Sequence, residues 1–86
     1  MASYQLEFSK QFHEDLKKIP PTQVIRIVAA LEKLRENPTG PNTRKLVDWE
    51  NGYRLRVGSY RVLYSIHNLK LVVFVAQAGH RRDIYR

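Results

Sequence analysis

The sequence predicts an α+β fold in which two N-terminal helices pack on one face of a small, mostly antiparallel four-stranded sheet, in the order β-α-α-β-β-β. Three features predict it: a hairpin signature in mid-chain, two amphipathic helical patterns before it, and an apolar run after it. The 86 residues predict a single domain, residues 1–86. The sequence has no cysteine, which excludes disulfides and thiolate metal sites.

The N-terminal part predicts one strand and then two helices. Residues 4–8 alternate apolar and polar side chains, as a strand with one buried face does. Ser9 is suited to the N-cap of a first helix over residues 10–19. A second helix is predicted over residues 21–37, because Pro21 fits a first helical turn and Pro38 ends the pattern. The predicted core-facing residues are Phe12, Leu16 and Ile19 in the first helix and Val24, Ile27, Val28, Leu31 and Leu34 in the second.

Residues 53–64 form the strongest strand signal and predict a β-hairpin. Both arms are rich in aromatic and β-branched residues, and Gly58-Ser59 fits a two-residue type II′ turn. This turn predicts that Arg56 lies opposite Arg61 and that Arg54 lies opposite Leu63. Because side chains alternate along a strand, the three arginines then share one face. The other face carries Tyr53, Leu55, Val57, Tyr60, Val62 and Tyr64.

The arginine-bearing side of this hairpin has two interpretations. Like charges directly opposite each other disfavour folding, which indicates selection for a polyanionic ligand. Alternatively, positive charge protects an exposed edge against aggregation. Residues 44–86 hold nine Lys/Arg against three Asp/Glu, a net of +6, whereas residues 1–43 hold six against five, a net of +1. This asymmetry favours an acidic partner, with nucleic acid first and a membrane surface second.

The remaining segments predict a loop, a further strand and no membrane contact. Residues 38–43 have loop composition, and the apolar run over residues 69–78 predicts a central strand buried on both faces. We interpret Trp49 as a core or edge-packing residue rather than a base-stacking one.

The chain lacks a signal-peptide pattern and an apolar run of membrane-spanning length, so we expect a cytoplasmic protein. His13 and His67 are predicted on the surface, and no side chains have metal-ligand spacing, so no metal or other cofactor is expected.

The chain ends in Gly79-His80-Arg81-Arg82-Asp83-Ile84-Tyr85-Arg86. With the strands over residues 53–57, 59–64 and 72–75 and the helix end over residues 34–38, this sequence resembles the RelE/ParE toxin superfamily, and its ending resembles the RelE branch. The resemblance covers nearly the whole chain and depends on the order and spacing of the motifs. It implies a RelE-like fold and a toxin that cleaves mRNA in the A site of the 70S ribosome, independently of metal. It also implies a cognate antitoxin that neutralises the toxin.

The resemblance also implies the residues of a site. The basic pair of the family falls on Arg54 and Arg56, its third-strand arginine on Arg61, its arginine after the last strand on Arg81 and its terminal tyrosine on Tyr85. Arg61 and Arg81 would stabilise the phosphorane, because guanidinium groups match phosphate oxygens and stay charged. Tyr85 and His80 are the further catalytic candidates, His80 because histidine is the side-chain type suited to proton transfer in the physiological pH range. Arg82 and Lys45 complete the predicted RNA-binding set with Arg54 and Arg56.

Two alternatives to the ribonuclease stay open. Relatives of the ParE type share the fold and a similar Gly-Arg-Arg-Asp ending, but they poison DNA gyrase and usually lack the terminal tyrosine. A non-catalytic basic RNA-binding domain is the other alternative.

The best-known RelE member has lysines where Arg54, Arg56 and His80 stand here, so the general base is not assigned.

Overall fold

The structure, a computed structural model, describes residues 3–80. Its elements are β1 (Gln5–Phe8), α1 (Lys10–Leu16), α2 (Pro21–Leu34), β2 (Thr43–Lys45), β3 (Gly52–Val57), β4 (Tyr60–His67) and β5 (Val72–His80). The strands form one sheet in the order β1-β5-β4-β3-β2. β1 pairs with β5 in parallel and the other neighbours are antiparallel, so the predicted α+β fold is confirmed. None of the helices in the described part of the chain is long and apolar enough to cross a bilayer.

The sheet has five strands, not the four that the sequence predicts. The additional strand, β2, has only three residues and pairs with β3, with Thr43 opposite Leu55 and Arg44 opposite Arg54. Such a short polar segment has no recognisable period-two pattern, so only the pairing with β3 defines it as a strand.

Both helices begin where the sequence predicts and end three residues earlier. Ser9 is the N-cap of α1, since its Oγ accepts a hydrogen bond from the Phe12 amide at 2.9 Å. α2 buries Ile27, Leu31 and Leu34 against the sheet. The prediction for Val28 is wrong, because its side chain is 46% exposed and lines a groove beside Phe8. Positions i, i+4 and i+7 already fill the face of α2 that meets the sheet, and Val28 lies beside it.

β5 contains a bulge that α1 stabilises. Leu63 lies opposite Gln77 and Tyr64 lies opposite Val75, so Ala76 is an extra residue. The bulge keeps Val75 and Ala78 on the helix-covered side of the sheet, where both are buried. The Ser9 hydroxyl donates to the Ala76 carbonyl at 2.5 Å, and the Ala78 amide donates to Asp15 Oδ2 at 3.0 Å. Two residues of the N-terminal segment therefore satisfy the backbone groups that the bulge releases.

The predicted central strand over residues 69–78 corresponds to β5, which lies between β1 and β4. Its helix-covered side is buried along its length, at Val73, Val75 and Ala78. On the other side Val72 is buried, but Phe74 is only partly buried and Gln77 is exposed. Burial on both faces is therefore correct for the start of β5 and wrong for its second half, because the helices cover one side of the sheet only.

Tyr64 makes the stability of the fold sensitive to alkaline pH. Its side chain is fully buried, its hydroxyl donates to the Pro38 carbonyl at 2.5 Å, and burial raises the pKa of its phenol to about 12. An unfolded tyrosine has a pKa of about 10. The folded state therefore keeps this proton more tightly, and the resulting stabilisation is complete below the unfolded pKa and is lost as the pH rises through the folded pKa.

Between pH 10 and pH 12 we expect the free energy of unfolding of the wild type to fall. The fall should be about 2 kcal/mol larger than that of the Tyr64→Phe variant, as the shift of this pKa requires. Urea unfolding of both proteins across this range measures the difference. Parallel pH profiles would show that Tyr64 does not carry the effect. Near neutral pH, Tyr64→Phe should be less stable by about 1 kcal/mol, since the Pro38 carbonyl loses its donor.

Candidate functional site

The β3–β4 hairpin has the register that the sequence predicts. Arg56 lies opposite Arg61, Arg54 lies opposite Leu63, and Gly58 has φ +59° in the turn, as the first position of a type II′ turn requires. Arg54, Arg56 and Arg61 therefore lie on the same side of the sheet, which is the side opposite the helices. This prediction is confirmed.

A fourth arginine, Arg44, shares this side of the sheet. It lies opposite Arg54 across the β2–β3 pair, and directly opposed residues point to the same face. The sequence analysis missed Arg44 because it did not predict β2. The only signal was its place just before a hairpin with arginines at alternate positions. We call the surface formed by Arg44, Arg54, Arg56 and Arg61 the arginine face.

Lys45 and His80 do not lie on the arginine face. Lys45 lies opposite Tyr53, and its Nζ is 5.2 Å from the centre of the Tyr53 ring, in a cation–π contact. His80 lies opposite Tyr60, with the two rings nearly perpendicular and their centres 5.6 Å apart. Tyr53 and Tyr60 both belong to the helix-covered side. Both candidates are thus separated from the arginines by the sheet, because adjacent strand positions point to opposite faces.

The arginine face carries positive charge that the described residues do not neutralise. Within residues 3–80, neither Arg44, Arg54 nor Arg56 forms an ion pair, and the two ion pairs are Lys17–Glu14 and Arg35–Glu32. Arg54 Nε is buried and has no hydrogen-bond partner in this part of the chain. Leaving such a donor unsatisfied costs about 1–3 kcal/mol, so this arginine is held at a cost to folding. Guanidinium groups match phosphate oxygens in geometry and charge.

Three of the predicted site residues, Arg81, Arg82 and Tyr85, lie outside the described residues. The last described strand ends beside Arg61, since Gly79 lies opposite it.

His13 and His67 are exposed, as predicted. Among residues 3–80, no three His, Cys, Asp or Glu side chains are grouped so that they would hold a metal ion.

The two faces of β2 allow a direct test of which surface binds nucleic acid. Arg44→Ala should weaken binding of single-stranded RNA. It should also make binding less sensitive to salt: the slope of log K, the association constant, against log salt concentration should become shallower by about 0.7, the value for one lost phosphate contact. Lys45→Ala removes a charge at the adjacent position but on the helix-covered side, so it should leave the slope nearly unchanged. Fluorescence anisotropy at several salt concentrations measures both. Equal slopes for the two variants would contradict this placement of the interface.

Comparison with known proteins gives consistent matches over nearly the whole chain. A family model described as the ParE toxin of the type II toxin–antitoxin system parDE matches residues 6–85. The chain is 30% identical to the toxin RelG of Mycobacterium tuberculosis over 84 residues, which cover 96% of this chain and 97% of RelG. It is 32% identical to the toxin RelE3 of Methanocaldococcus jannaschii over 82 residues, which cover 91% of each chain.

A solved structure shows the same fold. A chain of the archaeal RelE–RelB complex from Pyrococcus horikoshii matches with a TM-score of 0.81 at 25% sequence identity, and the match covers 94% of this chain and 98% of that one.

Proposed function

We propose, from the premise that this chain belongs to the RelE/ParE family and is a RelE-type toxin of a type II toxin–antitoxin system, that it is a ribosome-dependent endoribonuclease. Its substrate is mRNA in the ribosomal A site, and cleavage there inhibits translation. The observation that carries this proposal is the arginine face, which gathers four guanidinium groups on the side of the sheet opposite the helices. Such a surface suits a sugar–phosphate backbone.

The proposed reaction is attack of a ribose 2′-oxygen on the adjacent phosphorus. The 2′-hydroxyl loses its proton, a pentavalent phosphorane forms, and the bond to the 5′-oxygen breaks as that oxygen gains a proton. Arg61, together with Arg81, stabilises the negative charge that grows on the phosphorane. Arg44, Arg54 and Arg56 position the flanking phosphates, with Arg82 as a further contact. The guanidinium groups supply the positive charge, so the proposed reaction is metal-independent.

The proton transfers are assigned to Tyr85 or His80. His80 is the weaker candidate, because its ring lies on the helix-covered side of the sheet against Tyr60. Arginine is unsuited to the task, since it stays protonated in proteins. In this proposal Arg44, Arg54, Arg56 and Arg61 bind and stabilise charge, and the proton chemistry depends on the residues after β5.

The proposed partner protein is a cognate antitoxin with an acidic or amphipathic segment that covers the arginine face. The RelE chain from Pyrococcus horikoshii, which this chain resembles in fold, forms a complex with RelB. A second surface supports an amphipathic partner. β1, α1 and α2 form a groove of about 360 Å³, lined mainly by apolar side chains that include Phe8 and Val28, and these two are 42% and 46% exposed. An acidic segment would neutralise the arginines, while an apolar one would cover this groove.

Expression in growing cells tests the proposal. The chain produced alone should arrest growth and generate new messenger 5′ ends inside translated regions, and co-expression of the neighbouring small gene should abolish both effects. If co-expression left the toxicity unchanged, the proposed antitoxin would be wrong.

The description of the matching family model favours one second candidate, a ParE-type poison of DNA gyrase. In that case arrested cells would contain DNA breaks and intact messengers. A non-catalytic RNA-binding domain would instead bind RNA and produce no new messenger ends.

A further inference from the structure

Trp49 lies against the only glycine of β3. An ideal Cβ placed on Gly52 would be 2.4 Å from Trp49 Cδ2, 2.5 Å from Cγ and 2.6 Å from Cε3, which is far closer than any real Cβ contact. The indole therefore occupies the space of the missing side chain, and one side of the ring packs on the strand. This contact confirms edge packing of Trp49, and it does not test the expectation from the sequence that the ring does not stack on a base.

The same contact assigns Trp49 to the arginine face. Gly52, Arg54 and Arg56 are alternate residues of β3, so their Cβ positions point to the same side of the sheet. The pairing agrees, because Gly52 lies opposite Ser65, which alternates along β4 with Arg61. A ring that fills the Cβ position of Gly52 thus continues the row of arginine side chains along the strand.

The described chain covers the indole in part and gives it few specific contacts. Trp49 is partly exposed, and within residues 3–80 its ring has no aromatic neighbour, no cation–π partner and no side-chain hydrogen bond. Buried tryptophans usually pair their N–H group and pack on both ring faces. Packing on Gly52 accounts for one side of the ring.

We propose that Trp49 is a stacking platform for a nucleobase of single-stranded RNA bound along the arginine face. Alternate residues of a strand are about 6.6 Å apart, so Arg54 and Arg56 follow the indole at steps similar to those between successive phosphates of an extended strand. Proteins that bind single strands combine a basic track with such aromatic platforms. This inference rests on the proposed RNA-directed function and adds a base-binding position to it.

The residues on each side of Trp49 suit a base better than a phosphate. Asp48 and Glu50 are exposed carboxylates, which repel a phosphate and accept hydrogen bonds from exocyclic amino groups of bases. The platform is therefore expected to prefer adenine or cytosine over uracil. The arginines provide phosphate contacts along the strand, while the Trp49 end of the same row provides the base contact.

Because the chain has a single tryptophan, its fluorescence reports on this position alone. The probe is a short 2′-O-methyl oligoadenylate, which lacks the attacking hydroxyl and is not cleaved by the proposed route. An abasic oligomer of the same length and charge is the control. We expect the oligoadenylate to quench the emission of Trp49 saturably, and the abasic oligomer to bind more weakly without quenching it.

Two outcomes would overturn the stacking proposal, and they are distinguishable. Equal binding of both oligomers without quenching would exclude stacking on Trp49 and leave the ribonuclease proposal intact. If neither oligomer bound at low salt, the stacking would be excluded and the RNA-binding role of the arginine face would also be contradicted. Oligouridylate should quench less than oligoadenylate if Asp48 and Glu50 act on the base.

Variants provide an independent measurement by anisotropy. Trp49→Leu should weaken binding of the oligoadenylate by about 5- to 150-fold, the loss of one stacked base. It should change binding of the abasic oligomer little. Trp49→Phe keeps a ring and should recover much of the affinity, whereas Val47→Ala, at a fully exposed position in the same connection, is the matched control. Equal losses for both oligomers in Trp49→Leu would indicate a purely structural role and refute the proposal.

Discussion

Purified toxin is expected to cleave a defined messenger on programmed ribosomes several orders of magnitude faster than the same RNA free in solution. In the proposed reaction the arginine face binds a backbone and stabilises charge, but no part of it that the structure describes forces the 2′-oxygen into line with the leaving 5′-oxygen. Correct orientation can contribute about 7–11 kcal/mol in favourable cases. A messenger bent in the A site would receive this contribution from the ribosome.

The measurement compares single-turnover cleavage of one messenger with and without ribosomes that hold a defined codon in an empty A site. A second arm fills the A site with tRNA, which should suppress cutting because the toxin and tRNA would compete for it. Equal cleavage of free and ribosome-bound RNA would refute ribosome dependence. If neither RNA were cut, the gyrase-directed alternative would become the better explanation.

Arg61→Ala is expected to lower the cleavage rate on programmed ribosomes by about 10²–10³-fold, as loss of one preorganised charge at a transition state does. Arg81→Ala should have an effect of the same size, since both residues are assigned to the phosphorane. Arg54→Ala should act differently. It should mainly weaken binding and make it less sensitive to salt, because Arg54 is assigned to a flanking phosphate.

The experiment separates binding from chemistry by measuring the rate at saturating toxin and the affinity for ribosomes independently. Lys18→Ala removes an equal charge from an exposed position after α1 and should preserve both quantities. A variant of Arg61 with an unchanged rate at saturation and a weaker affinity would assign Arg61 to positioning. Thermal unfolding of each variant excludes loss of the fold as the cause.

Local signals in the sequence determined a large part of this protein. Turn chemistry at Gly58-Ser59 and period-two alternation predict the hairpin register, and therefore the common face of Arg54, Arg56 and Arg61. The Ser9 cap and the 3.6-residue spacing predict the starts of both helices and most of their buried residues, Val28 excepted. These features follow from residues close in sequence, whose preferences are largely independent of the rest of the chain.

Only the tertiary structure decided which other residues join the arginine face. Arg44 belongs to it and Lys45 does not, because the pairing of β2 with β3 fixes the direction of each side chain. The register of β4 with β5 likewise places His80 beside Tyr60, away from Arg61. Trp49 reaches this face because Gly52 leaves room for its ring. Each of these placements depends on contacts between segments distant in sequence, and the local pattern of a three-residue strand, a strand end or a loop does not encode them.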